Sequence, residues 1–210
     1  VQRKFFGTLF NTYNFFALYA NIDGFNFNEG EIELSKRPEI DRWVISKLNT
    51  LVQDVENAFE AFEPTKAGRL IQDFVTDQLS NWYVRLCRRR FWKGELSEDK
   101  ISAYQTLYIC LETVSVLSSP IAPFFSDQLF KDLNEVTGKD TSESVHLADF
   151  PISDASKIDE DLEERMAIAQ QVSSMVLGLR KKEKIKVRQP LQKIMVPVLD
   201  PKFGERIQKV

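Results

Sequence analysis

Seven apolar residues between Ile40 and Phe62 recur at steps of three and four: Ile40, Val44, Leu48, Leu51, Val55, Phe59 and Phe62. That spacing keeps every side chain on one stripe of a 3.6-residue helix and on no face of a strand. With Pro38 in the first turn and Pro64 past the end, the stripe predicts one helix of roughly 37 Å at 1.5 Å per residue. A helix with one apolar stripe is unstable alone in water, so this feature requires neighbouring helices to cover it.

The rest of the sequence supplies them. Residues 3–20 carry Phe6, Leu9, Phe10, Tyr13, Phe16 and Ala17 at helical spacing and stop at Asp23-Gly24. A polar loop over 25–37 follows. A third helix is predicted from about Thr65 to Trp92, with a stripe of Ile71, Val75, Leu79, Trp82 and Leu86 and a stop at Gly94. A fourth begins at Ser97, an N-cap residue followed by Glu98 and Asp99, and presents Tyr104, Leu107, Tyr108, Leu111, Val114 and Leu117. Pro120 and Pro123 interrupt it, and a shorter helix follows over 124–133. Long amphipathic helices with short connections predict a mainly all-α helix bundle over residues 1–150. After Gly138 the texture changes. Residues 144–151 read as a short extended piece, 158–183 as another long helix, and the β-branched run Ile194–Leu199 as a strand. Residues 151–210 are therefore expected to form the start of a C-terminal helix-plus-strand appendage.

Chemistry is mostly absent. The 210 residues contain one histidine, His146, flanked by Val145 and Leu147. This excludes paired-histidine metal sites, and neither a GxGxxG nor a GxxxxGK[ST] phosphate loop occurs. Cys87 and Cys110 form no CxxC pair, which points to a reducing compartment. No apolar run is long enough to span a membrane and no secretory pattern opens the chain, so a cytoplasmic location is expected. Both ends read as cuts in a longer polypeptide. No catalytic residue, metal site or cofactor is expected in this segment.

Charge is segregated although the net charge is only −3. Residues 80–93 hold Arg85, Arg88, Arg89, Arg90 and Lys93 and no acid. Residues 180–193 hold seven bases, among them Lys181, Lys182 and Arg188, against Glu183. Residues 154–164 hold six acids against Lys157. Such blocks create local fields despite a mild total. With Trp82 at zero and 100° per residue, Asn81, Arg85, Arg88 and Trp92 fall on one polar face beside the core stripe, while Arg89 and Arg90 turn towards the core. Guanidinium forks match phosphate oxygens and an indole stacks on a base, so this face is a candidate RNA contact. The competing reading is a helix C-terminus whose cations complement the dipole or pair with neighbouring acids.

Several runs, taken together and in order, resemble a known family. They are Arg3-Lys4-Phe5-Phe6, Asn11-Thr12-Tyr13-Asn14-Phe15-Phe16, Asp41-Arg42-Trp43, Asn81-Trp82-Tyr83-Val84-Arg85 leading to Arg88-Arg89-Arg90-Phe91-Trp92, Ser118-Ser119-Pro120-Ile121-Ala122-Pro123-Phe124, Ser144-Val145-His146-Leu147 and Val187-Arg188-Gln189-Pro190-Leu191. They resemble the anticodon-binding region of class I aminoacyl-tRNA synthetases, most closely the isoleucyl-tRNA synthetase family; valyl and leucyl enzymes share the bundle. The resemblance implies a module that holds tRNA(Ile) for ATP- and Mg²⁺-dependent aminoacylation by the remainder of the synthetase chain, with no DNA or membrane partner. The family's His-Ile-Gly-His element cannot be present with one histidine. Its Lys-Met-Ser-Lys-Ser loop is absent too, since Met166, Met175 and Met195 follow Arg165, Ser174 and Ile194. The tRNA-contact candidates are Asn81, Arg85, Arg88, Trp92, Lys93, Lys181, Lys182 and Arg188. The alternative function is a helical protein-interaction scaffold whose basic ends dock acidic partners.

Overall fold

A computed structural model describes residues 2–92, 94–198, 203, 204 and 207. Its backbone contacts divide into two compact units, Val1–Ile158 and Asp159–Val210. All regular structure among the described residues is helical.

In the first unit, a π-wound turn (Gln2–Phe6) leads into α1 (Gly7–Asp23). Gly24 ends α1 at φ 70°, a left-handed conformation that a side chain would strain, and its N–H reaches the Ala20 carbonyl. The loop to residue 37 is held rather than free. Gln105 donates to the Gly30 carbonyl at 2.7 Å and accepts from the Ile32 amide at 2.9 Å, while buried Arg37 donates to the Ile32 carbonyl and to Thr106 Oγ1. Helix α2 (Glu39–Glu60) follows Pro38. It ends two residues before Phe62, which sits at φ 58° with 91% of its surface exposed, outside the stripe to which periodicity assigned it.

Helix α3 (Pro64–Asp73), a π-wound segment (Phe74–Val84) and α4 (Arg85–Trp92) form one uninterrupted helical run. The wider π turn advances by less than 100° per residue, so the apolar stripe slips after Leu79. Its buried members are Ile71, Val75, Leu79, Tyr83, Cys87 and Phe91, not Trp82 and Leu86; Leu86 is 54% exposed.

Helix α5 (Glu98–Ser118) starts at Ser97, whose side chain accepts from the Lys100 amide. Sequence periodicity gave it one apolar face, yet it is buried nearly all round. Partners for several of its buried polar residues make this tolerable: Ser102 donates to Asp41, Gln105 serves the 30–32 backbone, and Thr106 accepts from Arg37. Helix α6 (Pro123–Thr137) packs against α5, and Gly138 closes it at φ 57°. Residues 144–147 form a turn, not an extended piece. Asp127 accepts from Ser144 Oγ at 2.7 Å and from the Val145 amide at 3.1 Å, which pins the turn over α6 and buries Val145 against Val116 and Phe130.

The second unit contains α7 (Glu160–Lys182), capped by the Asp159 carboxylate on the Leu162 amide. The strand expected over 194–199 is not formed: residues 194–198 have no regular structure, and Leu199 lies outside the described residues. A β-branched run becomes a strand only when a neighbouring strand pairs its backbone, and the described residues supply none.

Candidate nucleic-acid interface

Helix α4 is short and half of its eight residues are arginine, so its orientation is set by what anchors it. Phe91 is 1% exposed and meets Phe15 of α1 edge-on at 5.1 Å and Tyr104 of α5 at 5.0 Å. The second anchor is ionic. Asp41 of α2 is completely buried and accepts from four directions: Arg90 Nη1 at 2.5 Å, Arg90 Nη2 at 2.9 Å, Tyr83 Oη at 3.0 Å and Ser102 Oγ at 2.6 Å. Arg90 also donates through Nε to Asp99 at 3.0 Å. One carboxylate thus ties α2, the π segment, α4 and α5 together.

The electrostatics follow from burial. Desolvation works against the Arg90 cation, but hydrogen bonds and charge from Asp41 and Asp99 outweigh it and raise its pKa. Burial pushes the Tyr83 phenol well above its usual range, reinforced by the charge of Asp41. Burial also raises the Cys87 thiol to about 11, opposed in part by Arg90. Tyr83 and Cys87 are therefore neutral near pH 7, and both cysteines are free and buried.

With Arg90 turned inward, the outer arc of α4 carries Arg85, Leu86, Arg88, Arg89 and Trp92, all exposed, with Asn81 exposed one turn earlier. Arg85, Arg88 and Arg89 have no ion-pair partner among the described residues. Trp92 is 52% exposed. Arg90 pairs internally as its position on the wheel suggested. Arg89 does not; it joins the exposed arc, and the wheel missed it because a uniform 100° step ignores the π winding. Lys93 lies outside the described residues. Trp82, assigned to the core stripe, is only partly buried, and its Nε1 has no hydrogen-bond partner among the described residues.

A second basic group closes α7. Arg180 donates from Nη1 to the Lys186 and Gln189 carbonyls, each at 2.8 Å, folding the chain back over the helix end. The Ile185 amide reaches the Arg180 carbonyl, and Lys184 takes the left-handed position at φ 56°. Lys181, Lys182 and Arg188 are exposed around this turn. His146 is exposed, and its amide donates to Ser144 Oγ. Among the described residues no group of three or more His, Cys, Asp or Glu side chains is placed to hold a metal ion.

A family model described as the anticodon-binding domain of tRNA ligase matches residues 41–195. The chain belongs to that family. The domain is 61% identical over all 210 residues to an isoleucine–tRNA ligase of Cytophaga hutchinsonii, covering 100% of this chain and 19% of that one. It is 60% identical over the same length to the isoleucine–tRNA ligase of Bacteroides thetaiotaomicron, covering 18% of it. Over 205 residues it is 47% identical to that of Dehalococcoides mccartyi, covering 96% of this chain and 20% of that one. The domain thus spans about a fifth of the length of the curated relatives it matches. The family match takes in both basic groups, the outer arc of α4 and the turn after α7.

Proposed function

We propose that this chain is the anticodon-binding module of an isoleucine–tRNA ligase and that it grips the anticodon stem and loop of tRNA(Ile). The observation that carries the reading is the division of labour on α4. Arg90 is consumed by Asp41 and Asp99, while Arg85, Arg88, Arg89 and Trp92 stand outward on one arc. Guanidinium forks bind phosphate oxygens through paired N–H donors, and an exposed indole offers a stacking plane for an unpaired base. The internal ion pair keeps this arc rigid, so little rotational freedom of the helix is lost on binding. Lys181, Lys182 and Arg188 add phosphate contacts from the second unit.

The role is positional. By holding the anticodon arm, the module brings the acceptor end into register with a catalytic site elsewhere in the ligase, where ATP and Mg²⁺ support aminoacylation in the cytoplasm. Selecting and orienting the substrate lowers the entropic part of the barrier without supplying a reacting group.

The test is tRNA binding against salt concentration in the full-length ligase, comparing wild type with Arg85→Ala/Arg88→Ala. Each phosphate contact contributes a slope of about 0.7 to 0.9 in log K against log salt. The double variant is expected to bind more weakly and to lose about 1.5 from that slope. An unchanged slope with unchanged tRNA affinity rejects this surface. Retained tRNA binding together with loss of an acidic protein partner favours a docking scaffold instead.

A further inference from the structure

The last turn of α1 and the first turn of α5 meet at the end of α4. Lys100 of α5 is 3% exposed, and a lysine is rarely that buried unless it is paired. Its Nζ lies 2.5 Å from Asp23 Oδ2 of α1 and donates to the Gly94 carbonyl at 3.4 Å. The same Asp23 oxygen accepts from Tyr104 Oη at 2.5 Å. Tyr104 in turn meets the Phe91 ring edge-on at 5.0 Å. Trp92 is therefore bracketed through one carboxylate: Phe91 before it is tied to Asp23 through Tyr104, and Gly94 after it through Lys100.

Stability alone is a weak reason for a buried cation. A buried ion pair is often no more stabilising than apolar side chains of similar volume, because removing two charges from water costs about as much as their attraction returns. What an ammonium offers that a methyl group cannot is direction. Carbonyls at the end of a helix lack partners within it, and a cation beside them satisfies one and complements the negative end of the dipole. Gly94 stands at φ 72°, two residues beyond the end of α4, and its carbonyl accepts from Lys100. Lys100 is itself fixed in the first turn of α5, where Ser97 Oγ accepts from its amide at 3.3 Å. The residue before it, Asp99, holds Arg90. One turn of α5 thus grips the chain just before and just after Trp92.

We propose that Lys100 is a positioning residue for tRNA recognition: by holding Gly94 and Asp23 it sets the plane in which the Trp92 indole meets an unpaired base. Buried as it is, Lys100 offers RNA no charge of its own and acts through Trp92. This role rests on the reading of the outer arc of α4 as a tRNA face. Trp92 is 52% exposed, so half of its side chain is in water and the backbone on either side must supply its orientation. An indole that is already oriented loses less side-chain freedom when a base stacks on it.

The experiment measures the affinity of the full-length ligase for tRNA(Ile) in a double-mutant cycle of Lys100→Met with Trp92→Ala. Lys100→Met keeps an unbranched buried side chain and removes the charge. Asp23→Asn/Lys100→Met, which leaves no unpaired carboxylate, is the companion variant should the single change loosen the fold. A base stacked on an aromatic ring is worth a factor of about 5 to 140, so Lys100→Met is expected to weaken binding at least about fivefold where Trp92 is present and less than about twofold where it is alanine. The slope of log affinity against log salt should stay as in wild type, because Arg85, Arg88 and Arg89 are untouched. In aminoacylation, KM for tRNA should rise while kcat changes little, the mark of an interaction made equally in ground and transition states. Equal losses in the two Trp92 backgrounds, no loss beside Trp92, or loss of helical circular dichroism in both Lys100 variants overturns the proposal. If Trp92→Ala alone leaves tRNA affinity unchanged, the reading of α4 falls with it. If Trp92→Ala weakens binding and Lys100→Met does not, only the role of Lys100 falls.

Discussion

Replacing Asp41 by alanine removes the acceptor on which four donors converge. Breaking a buried ion pair by deleting one partner costs about 3–5 kcal/mol, because the other charge stays buried and uncompensated. Here the loss falls at the lower end, about 3–4 kcal/mol, since Arg90 keeps Asp99, whose side chain is 54% exposed. Tyr83 is left with only a long contact to the Ala103 carbonyl at 3.5 Å. For a domain of this size each kcal/mol shifts Tm by about 2–4 °C, so a drop of roughly 6–16 °C is expected. Urea unfolding followed by helical circular dichroism at neutral pH measures the free energy, and a thermal melt measures Tm. The deciding arm is a double-mutant cycle with Arg90→Met. Removing both partners leaves no uncompensated charge, so Asp41→Ala/Arg90→Met should cost at least about 1.5 kcal/mol less than the two single changes added together. A cost below about 1 kcal/mol for Asp41→Ala, or strict additivity in the cycle, would refute the view that this carboxylate anchors α4.

Other outcomes follow from the same geometry. Trp92→Ala should weaken tRNA binding by about 1–3 kcal/mol, the usual worth of a base stacked on an aromatic ring, and should move Tm little because half of the side chain is already in water; a fluorescence titration and a melt read the two separately. Arg89→Ala should reduce the salt slope of tRNA binding by about as much as Arg88→Ala, whereas Arg90→Lys should act mainly on stability, because an ammonium cannot reproduce the fork across Asp41. Cys87 and Cys110 should resist iodoacetamide at pH 8 in the native chain and react promptly in urea, since both thiols are buried and that of Cys87 titrates only near 11. Hydrogen bonds from Lys131 and Ser144 hold the Asp127 carboxyl at about 2, below its ordinary 3.8. Its contribution to stability is therefore full above pH 3.8 and lost as pH falls towards 2, so the stability gap between wild type and Asp127→Asn should shrink across that window in acid titrations.

The helical architecture was legible because helix period, proline placement and the caps at Gly24 and Ser97 are local signals. Asp23-Gly24 stops α1 and Ser97 starts α5 for reasons contained within four residues. The outer arc of α4 was half legible. Asn81, Arg85, Arg88 and Trp92 were placed together from spacing alone, and all four are exposed. Arg89 escaped because π winding from Phe74 to Val84 shifts the phase, and winding depends on how the run packs against α1, α2 and α5. The strand over 194–199 failed for the complementary reason: strands exist only as pairs, and propensity says nothing about the partner.

What residue order alone determined is which segments are helices, where α1 stops and α5 starts, and that the bases gather at two helix ends. Those properties depend on interactions between residues a few positions apart, which periodicity and capping chemistry report directly. Only the tertiary structure decided which of those bases face outward. Asp41 lies 49 positions before Arg90, and Ser102 lies 12 after it. Nothing local links the three; burial brings them together, and in a medium that cannot solvate a lone charge the carboxylate pairs with the Arg90 guanidinium. That pairing withdraws Arg90 from the surface and leaves Arg85, Arg88 and Arg89 as the exposed charges of α4.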